Sequence, residues 1–391
     1  MSLVLVFAIT LLVAVLVSEL ADRSVLSTAV LFLLTGVAAG VVAQDIPSVD
    51  DNEVLVLIEV ALFTVLFTDG MRVGLGDLAS AWRLPGRALL LGLPLTLFVT
   101  ALLARLLADL PWGHALLLGA VLAPTDPVFA AAMVGREGVP RRLRRLLNVE
   151  SGLNDGLALP VVVTLLALLS AQDTRIGELT GELLAGVVVG AVIPWVALHL
   201  EASRFFSPAK GLAELFPFAI GLLVFAVASV THANLFLSAF TAGVTVASVS
   251  PGFRETFEPF GQLISELLKV AAIFVFGALL SPSLLADVTL GGYVFALLTL
   301  FVARPVAIAV ALFGSHISRR EWIAAAWFGP KGFASVVYGL LVAHSGIAQG
   351  DKLFQLVAVV VFASILLHSS SDVFVARQFR DLQEEAPAPS G

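Results

Sequence analysis

Two aspartates lie inside apolar segments that are each long enough to cross a bilayer. Asp126 stands in the run Ala-Pro-Thr-Asp-Pro, and Asp155 stands in the run Glu-Ser-Gly-Leu-Asn-Asp-Gly. A carboxylate at the centre of a membrane helix costs about 3 kcal/mol on insertion scales. Because two of them occupy consecutive segments, they indicate an ion or proton site rather than a packing role.

The first aspartate lies in a predicted helix break. Pro124 and Pro127 flank Thr125 and Asp126 and remove two helix hydrogen-bond donors. The freed carbonyls need partners, because hydrocarbon offers none. Carbonyls beside a carboxylate form a ligand set that suits a hard cation such as Na⁺. A second break is predicted at residues 329–332, Gly-Pro-Lys-Gly.

The second aspartate shares a helix face with a hydroxyl group. Ser151 and Asp155 are spaced i, i+4, so they project from the same side of a helix. Together with Asp126 and the Thr125 carbonyl, they form a candidate Na⁺ and proton site.

The adjoining face of the same helix carries Glu150 and Asn154, also spaced i, i+4. Asn154 can form hydrogen bonds without titrating, which favours a supporting role. An unpaired buried arginine is strongly disfavoured. We therefore interpret Glu150 as a candidate ion-pair partner of Arg304.

Composition defines the elements that must position these groups. Of 391 residues, 59% are hydrophobic and 13% are charged, and the mean hydropathy is +1.01. Soluble domains contain about 25% charged residues. The composition therefore predicts an all-α polytopic membrane protein. The absence of cysteine excludes disulfides and thiolate metal sites.

The N-terminal segment lacks a basic region, so we interpret it as a retained span rather than a signal peptide. The sequence contains no nucleotide-binding loop, which argues against an ATP-driven pump. No cofactor is expected apart from the transported Na⁺ and H⁺, and no nucleic-acid partner.

The apolar runs predict about thirteen spans, since a span needs about 20 mostly apolar residues. They cover approximately residues 3–20, 24–43, 53–70, 86–108, 113–134, 146–170, 181–201, 213–230, 234–249, 262–282, 289–314, 322–345 and 352–370.

Basic residues predict the orientation of these spans. Sixteen of the 22 Lys and Arg residues lie in odd-numbered loops or after the last span, and two lie in even-numbered loops. Basic residues concentrate on the cytoplasmic side of membrane proteins. We therefore predict an N-terminus outside an inner or plasma membrane and a C-terminus in the cytoplasm.

Span counting also predicts an internal symmetry. Spans 1–6 and 8–13 are offset by an odd number, so they form inverted repeats, with the two broken helices as symmetry mates that cross at mid-depth. Asp126, Asp155, Arg304 and the second break all lie roughly 10–15 Å from the predicted cytoplasmic ends of their spans. This shared depth indicates one site. Residues 1–380 form a single transmembrane domain, and residues 381–391 form a short disordered tail.

Several motifs resemble those of the monovalent cation/proton antiporter family, in its NhaP-like branch with an Asn-Asp pair. The resemblance covers nearly the whole chain. It is carried by Ala123–Pro127, Asn148–Gly156, Phe236–Phe240, Arg304-Pro305 and Trp327–Gly332.

This resemblance implies a homodimer with a dimerisation part (spans 1–3 and 8–10) and a mobile core (spans 4–6 and 11–13). It implies that Asp155 is the principal carrier, with Thr125, Asp126 and Ser151 completing the site. It further implies electroneutral exchange of Na⁺ (or Li⁺) for H⁺, with roles in pH homeostasis and sodium tolerance. The chain has Lys331 where an arginine is usual, and its third-span acid, Asp69, lies one residue later than in many relatives.

Other polar residues have weaker assignments. Asp69 is a candidate for lining a cytoplasmic funnel. The i, i+3 spacing of Glu266 and Lys269 predicts a local ion pair. The six histidines are predicted to be interfacial, near span ends: His114, His199, His232, His316, His344 and His368.

Other functions remain open from sequence alone. K⁺/H⁺ exchange is the nearest alternative, because selectivity depends on small differences in ligand position. An intramembrane aspartyl protease is a remote alternative, since Leu-Asn-Asp-Gly differs from the Gly-x-Gly-Asp turn that such enzymes use. The leading prediction is a secondary antiporter rather than an enzyme.

Overall fold

The computed structural model describes residues 3–18, 27–42, 52–72, 84–126, 139–170, 176–203 and 215–384, and every regular element among them is helical. This confirms the predicted all-helical class. The described residues form these helices: α1 Leu3–Leu16, α2 Thr28–Val42, α3 Asn52–Arg72, α4 Leu84–Leu107, α5 Trp112–Leu122, α6 Arg141–Leu169, α7 Ile176–Glu201, α8 Leu215–Thr231, α9 Leu235–Val249, α10 Pro251–Leu279, α11 Pro282–Ala286, α12 Leu290–Ala311, α13 Arg319–Trp327, α14 Phe333–His344 and α15 Gly350–Glu384.

The helices are strongly apolar on their outer surfaces as well as inside. Within the described ranges, six stretches are long and apolar enough to cross a membrane by length and composition: Leu84–Leu107, Arg141–Leu169, Gly177–Glu201, Pro259–Leu279, Leu290–Ala311 and Gly350–Ser371. Each predicted span overlaps at least one of the described helices, and the span at 322–345 overlaps both α13 and α14. The total of thirteen crossings, the orientation and the inverted repeats stay predictions.

Helix packing separates the chain into two groups. We call α1–α3 and α7–α10 the scaffold bundle, because their most extensive contacts are with one another. We call α4–α6 and α12–α15 the core bundle for the same reason. The predicted core spans lie in the core bundle, and the predicted dimerisation spans lie in the scaffold bundle together with α7. The dimer itself stays a prediction.

The scaffold bundle is closed by direct backbone contact at glycines. A Cβ atom on Gly36 of α2 would lie 2.2 Å from the carbonyl oxygen of Phe274 on α10. One on Gly243 of α9 would lie 2.1 Å from the carbonyl oxygen of Phe67 on α3. Small residues allow membrane helices to approach this closely. No larger side chain fits at either seam without moving a backbone.

The last helix is longer than its predicted span. Helix α15 continues to Glu384, four residues into the segment predicted as a disordered tail. Val375 and Phe379 pack against a buried cluster that includes Phe328. Residues 385–391 lie outside the described residues.

Candidate ion-binding site

Helix α5 ends where the first predicted break begins. The helix stops at Leu122, and residues 123–126 are not helical. Pro124 explains this end, because its nitrogen carries no hydrogen to donate to the preceding turn of the helix. Thr125 and Asp126 are buried immediately after the turn. Pro127 and the continuation of this segment lie outside the described residues.

The second predicted break is also present, and it contacts the first. Helix α13 ends at Trp327 and α14 starts at Phe333, with Pro330 between them. The amide of Asp126 donates to the Pro330 carbonyl at 2.9 Å. The amide of Phe333 donates to Asp126 Oδ2 at 3.1 Å. Asp126 therefore lies at the N-terminus of α14, where the helix dipole stabilises negative charge.

Lys331 binds two carbonyl groups that have no helical partner at the first break. Its Nζ donates to the carbonyl oxygens of Ala123 at 3.2 Å and Pro124 at 3.3 Å. A cation at the C-terminus of α5 also complements the dipole of that helix. The sequence suggested that freed carbonyls would serve as open cation ligands. The carbonyls of Ala123 and Pro124 accept from the lysine instead, and the cation-binding role of the Thr125 carbonyl stays a prediction.

Polar side chains of α6 meet the first break. The hydroxyl oxygens of Thr125 and Ser151 lie 3.2 Å apart. Asn154 Nδ2 donates to Thr125 Oγ1 at 2.7 Å and to the Thr125 carbonyl at 3.3 Å. Asn154 therefore orients the threonine without adding charge, as its predicted supporting role requires. All three side chains are buried.

Asp155 has an incompletely satisfied carboxylate. The residue is 5% exposed, and its Oδ1 has no hydrogen-bond partner. Asp69, Asp126, Lys269 and Lys331 are its charged neighbours. A buried, unpaired charged oxygen is costly. A proton or a cation bound to this oxygen would remove that cost.

The predicted partner of Arg304 is confirmed in the structure. Arg304 donates to both carboxylate oxygens of Glu150, at 2.7 and 2.9 Å, and its Nε donates to the Ala325 carbonyl at 3.1 Å. Both charged side chains are buried. A Cβ atom on Gly329 would lie 2.0 Å from Arg304 Cδ, so the glycine of the second break leaves room for this arginine.

Asp69 and Lys269 form an interaction that the sequence did not predict. Asp69 is buried, accepts from Arg72 at 3.1 Å and lies 4.0 Å from Lys269 Nζ. The predicted pair of Lys269 with Glu266 is wrong, because Lys269 is buried and lies near Asp69 of α3, whereas Glu266 is exposed. The funnel role of Asp69 stays a prediction.

A sequence comparison then identifies the family. Residues 7–377 match the family model for the transmembrane part of the sodium/hydrogen exchanger. The chain belongs to the sodium/hydrogen exchanger family. This confirms the resemblance that the aspartate motifs indicated.

Several relatives of this chain are named for K⁺ rather than Na⁺. The K⁺/H⁺ antiporter NhaP2 of Shewanella baltica (strain OS223) is 27% identical over 386 residues, which cover 95% of this chain and 66% of that protein. The K⁺/H⁺ antiporter NhaP of Alkalimonas amylolytica is 25% identical over 393 residues, covering 99% and 68%. This chain therefore spans about two thirds of the length of these relatives.

A solved structure shares the fold of this chain. The sodium proton antiporter MjNhaP1 from Methanocaldococcus jannaschii at pH 8 superposes with a TM-score of 0.77 at 20% sequence identity, covering 97% of each chain. At this identity the match establishes the common fold.

Three buried polar contacts of the core bundle were missed or misassigned from the sequence. His368 was expected at the interface, but it is 1% exposed, and its Nδ1 lies 2.9 Å from the Ser364 carbonyl. Tyr338 OH donates to the Asp155 carbonyl at 2.8 Å. Ser335 Oγ donates to the Val121 carbonyl at 2.8 Å. The contacts of Tyr338 and Ser335 run between helices, and no local pattern marks them.

A second ion pair lies at the N-termini of α6 and α13. Nε and Nη2 of Arg142 donate to the two carboxylate oxygens of Glu321. Glu321 also accepts from the amide and the hydroxyl of Ser318. Burial raises the pKa of Glu321, but the hydrogen bonds from Arg142 and Ser318 outweigh burial, so this pKa lies below its ordinary value of 4.5.

Proposed function

We propose that this chain is a secondary active antiporter that exchanges a monovalent cation for H⁺ across a cell membrane. The observation that carries the proposal is the unpaired, buried Oδ1 of Asp155 beside the hydroxyl groups of a broken-helix site. Membership of the sodium/hydrogen exchanger family supports it.

The cation is coordinated by oxygen atoms of four residues in this proposal. Asp155 and Asp126 supply carboxylates, and Ser151 and Thr125 supply hydroxyl groups. Hard monovalent and divalent cations prefer oxygen ligands of this kind. Asn154 fixes Thr125 by two hydrogen bonds, so the hydroxyl is held in place before the ion arrives.

Exchange follows because the site binds either a cation or a proton. Two carboxylates that interact strongly take up and release protons as a unit. Protons occupy the site at low pH, and a cation displaces them at high pH. Either ligand reduces the charge of the core bundle, and a core with less net charge moves more easily through the low-dielectric membrane. We propose movement of the core bundle relative to the scaffold bundle, with one cation exchanged for one proton.

We propose Na⁺ as the transported cation, with Li⁺ as a substitute. The family description and the name of the structurally similar MjNhaP1 support this choice. K⁺ is the second candidate, and the names of the Shewanella and Alkalimonas relatives support it. The same four ligands serve both proposals, so the choice depends on the size of the site.

The test is cation-induced proton movement in proteoliposomes, with Na⁺, Li⁺ and K⁺ compared from mildly acidic to alkaline pH at clamped membrane potential. We expect one cation to move protons without a response to voltage. Asp155→Asn is expected to abolish exchange while leaving the thermal midpoint close to that of the wild type. An exchanging, well-folded Asp155→Asn protein would overturn the assignment of the carrier. A wild-type response to none of the cations would overturn antiport.

The proposed assembly is a homodimer formed by the scaffold bundle, with the N-terminus outside the membrane and the C-terminus in the cytoplasm. The mass of the protein in detergent and the accessibility of single cysteines placed at each end test these two points. The chain contains no native cysteine, so each introduced thiol is unique.

A further inference from the structure

Helix α15 carries two buried polar side chains in its apolar part. From Leu356 to Leu367, Ser364 is the only residue that is not hydrophobic, and His368 follows directly. Ser364 is 0% exposed and His368 is 1% exposed. Their i, i+4 spacing places them on the same side of the helix. Buried polar groups are costly unless they form hydrogen bonds, so their partners indicate their role.

The partner of Ser364 is the second break. Its Oγ accepts from the backbone amide of Lys331 at 2.7 Å. The Nδ1 atom of His368 lies 2.9 Å from the Ser364 carbonyl oxygen and 3.1 Å from the Ser364 hydroxyl. Because a carbonyl oxygen can only accept, Nδ1 carries a hydrogen and donates to it. The histidine therefore fixes the turn of α15 that presents the hydroxyl to Lys331.

The same helix also holds the other end of the second break. The ring of Trp327, the last residue of α13, covers the ring of His368 at a centroid distance of 4.8 Å. Its Nε1 donates to the hydroxyl of Ser371 at 2.9 Å. Helix α15 thus binds the residue before the segment 328–330 and the residue after it, so the second break is attached to α15 at both ends.

Lys331 extends this attachment to the first break. Its amide binds Ser364, and its Nζ binds two carbonyl oxygens of the first break, at 3.2 and 3.3 Å. Close to Lys331 in the chain, the Pro330 carbonyl accepts from the Asp126 amide at 2.9 Å, and the Phe333 amide donates to Asp126 Oδ2 at 3.1 Å. The position of the Lys331 backbone therefore determines where both of these groups meet Asp126.

We propose that Ser364 and His368 are positioning residues of the cation site, which hold Asp126 in place through Lys331. The inference rests on the proposed antiport function, in which Asp126 is a cation ligand. A site whose ligands are already held in place binds more tightly, because less order has to be created on binding. Loss of the Ser364 hydroxyl leaves the buried Lys331 amide without its acceptor and loosens the second break, so the cation binds more weakly.

The first test compares two buried serines of α15 in the proteoliposome assay. We expect Ser364→Ala to raise the KM for the cation roughly fivefold, the effect of one lost hydrogen bond, with a smaller change in kcat. Ser369→Ala is the matched control, since Ser369 is 1% exposed and its Oγ has no hydrogen-bond partner among the described residues. This control is expected to keep the wild-type KM.

A second variant tests the histidine. His368→Phe keeps a ring beside Trp327 and removes the donor to the Ser364 carbonyl. We expect its KM to rise in the same direction as in Ser364→Ala but by less, because the Ser364 hydroxyl remains. A wild-type KM in His368→Phe would overturn the role of the histidine.

The second test is amide hydrogen exchange of the purified protein, followed by mass spectrometry. Pro124 and Pro127 carry no amide hydrogen, so the peptide that contains Asp126 has few exchanging amides at the first break. We expect Ser364→Ala to speed hydrogen exchange in this peptide and in the peptide that contains Lys331, and Ser369→Ala to match the wild type. A purely structural role of Ser364 within α15 would leave the peptide with Asp126 unchanged.

The two measurements separate this inference from antiport. A raised KM without faster hydrogen exchange at Asp126 would overturn the route through Lys331, and an unchanged KM in Ser364→Ala would overturn the positioning role. If the wild type transports no cation but Ser364→Ala still speeds hydrogen exchange at Asp126, antiport is wrong and the link from α15 to Asp126 is real. If the wild type transports and Ser364→Ala matches Ser369→Ala in both measurements, antiport stands and the positioning role is wrong.

Discussion

The buried pair of Glu150 and Arg304 allows a quantitative prediction. In Glu150→Gln, the arginine loses the compensating negative charge and at least one of its two bonds of 2.7 and 2.9 Å, because an amide has only one acceptor oxygen, and it keeps the bond from Nε to the Ala325 carbonyl. Both side chains of the pair are almost inaccessible to water. Removing one partner of a buried ion pair costs about 3–5 kcal/mol, because the remaining charge has no compensation. We expect a loss of stability of this size.

The loss is measurable as a shift of the thermal midpoint of purified protein. For larger domains, 1 kcal/mol corresponds to about 2 °C or somewhat more, so the expected shift is roughly 6–10 °C. Transport in proteoliposomes provides a second measurement. Because Glu150 binds Arg304 and is not a proposed ion ligand, the folded fraction of the variant is expected to retain the wild-type KM for the cation.

A double variant is the control for this prediction. Glu150→Met combined with Arg304→Met removes both charges and keeps similar side-chain volumes. Replacing a whole buried ion pair by apolar residues is often close to neutral. The double variant is therefore expected to recover most of the lost stability. A Glu150→Gln shift under about 2 °C, or a double variant less stable than the single one, would refute the view that an uncompensated arginine dominates the cost.

Three further predictions concern single contacts. Gly329→Ala pushes a methyl group into the Arg304 side chain and is expected to lower the thermal midpoint, because a Cβ would lie 2.0 Å from Cδ; an unchanged midpoint would show that the arginine moves freely. Tyr338→Phe removes the 2.8 Å hydrogen bond to the Asp155 carbonyl, so we expect the free energy of unfolding to fall by about 1 kcal/mol and the KM for the cation to rise. Unchanged stability and KM would exclude a positioning role for Tyr338. Glu321→Gln is expected to destabilise the protein at neutral pH, because only ionised Glu321 stabilises the fold. The difference in stability from the wild type should vanish as the pH falls through the lowered pKa of this carboxyl. A difference that is constant from neutral to acidic pH contradicts this.

Local rules predicted the parts of the site that depend on single segments. Prolines mark both helix breaks, because a missing amide and a fixed φ interrupt a helix in any context. The i, i+4 spacing placed Ser151 and Asp155 together on α6. The partner of Arg304 was also predictable, because a buried guanidinium requires an acid and Glu150 lies on the helix face that adjoins the predicted site.

Contacts between distant helices were not predictable from the same rules. The i, i+3 spacing suggested Glu266 as the partner of Lys269, but packing of α10 against α3 turns the lysine towards Asp69. His368 lies near the end of a predicted span, and the ring of Trp327 covers it at a centroid distance of 4.8 Å. A lysine ammonium donates equally well to carbonyl and carboxylate oxygens, so the sequence alone does not identify the partners of Lys331. Only the tertiary arrangement selects among these partners.

The glycine seams and the contact at Phe240 have different mechanical consequences. At Gly36 and Gly243 the backbones of scaffold helices touch, so sliding one helix along its neighbour would force carbonyls into Cα atoms before any new contact formed. Between the bundles, the ring of Phe240 covers bare backbone at Gly156, where a Cβ would lie 2.5 Å from the ring. A flat ring on a surface without a side chain meets no ridge when it is displaced. Resistance to shear is therefore high within the scaffold and low at this boundary, which directs any sliding of helices to the surface that carries the aspartates.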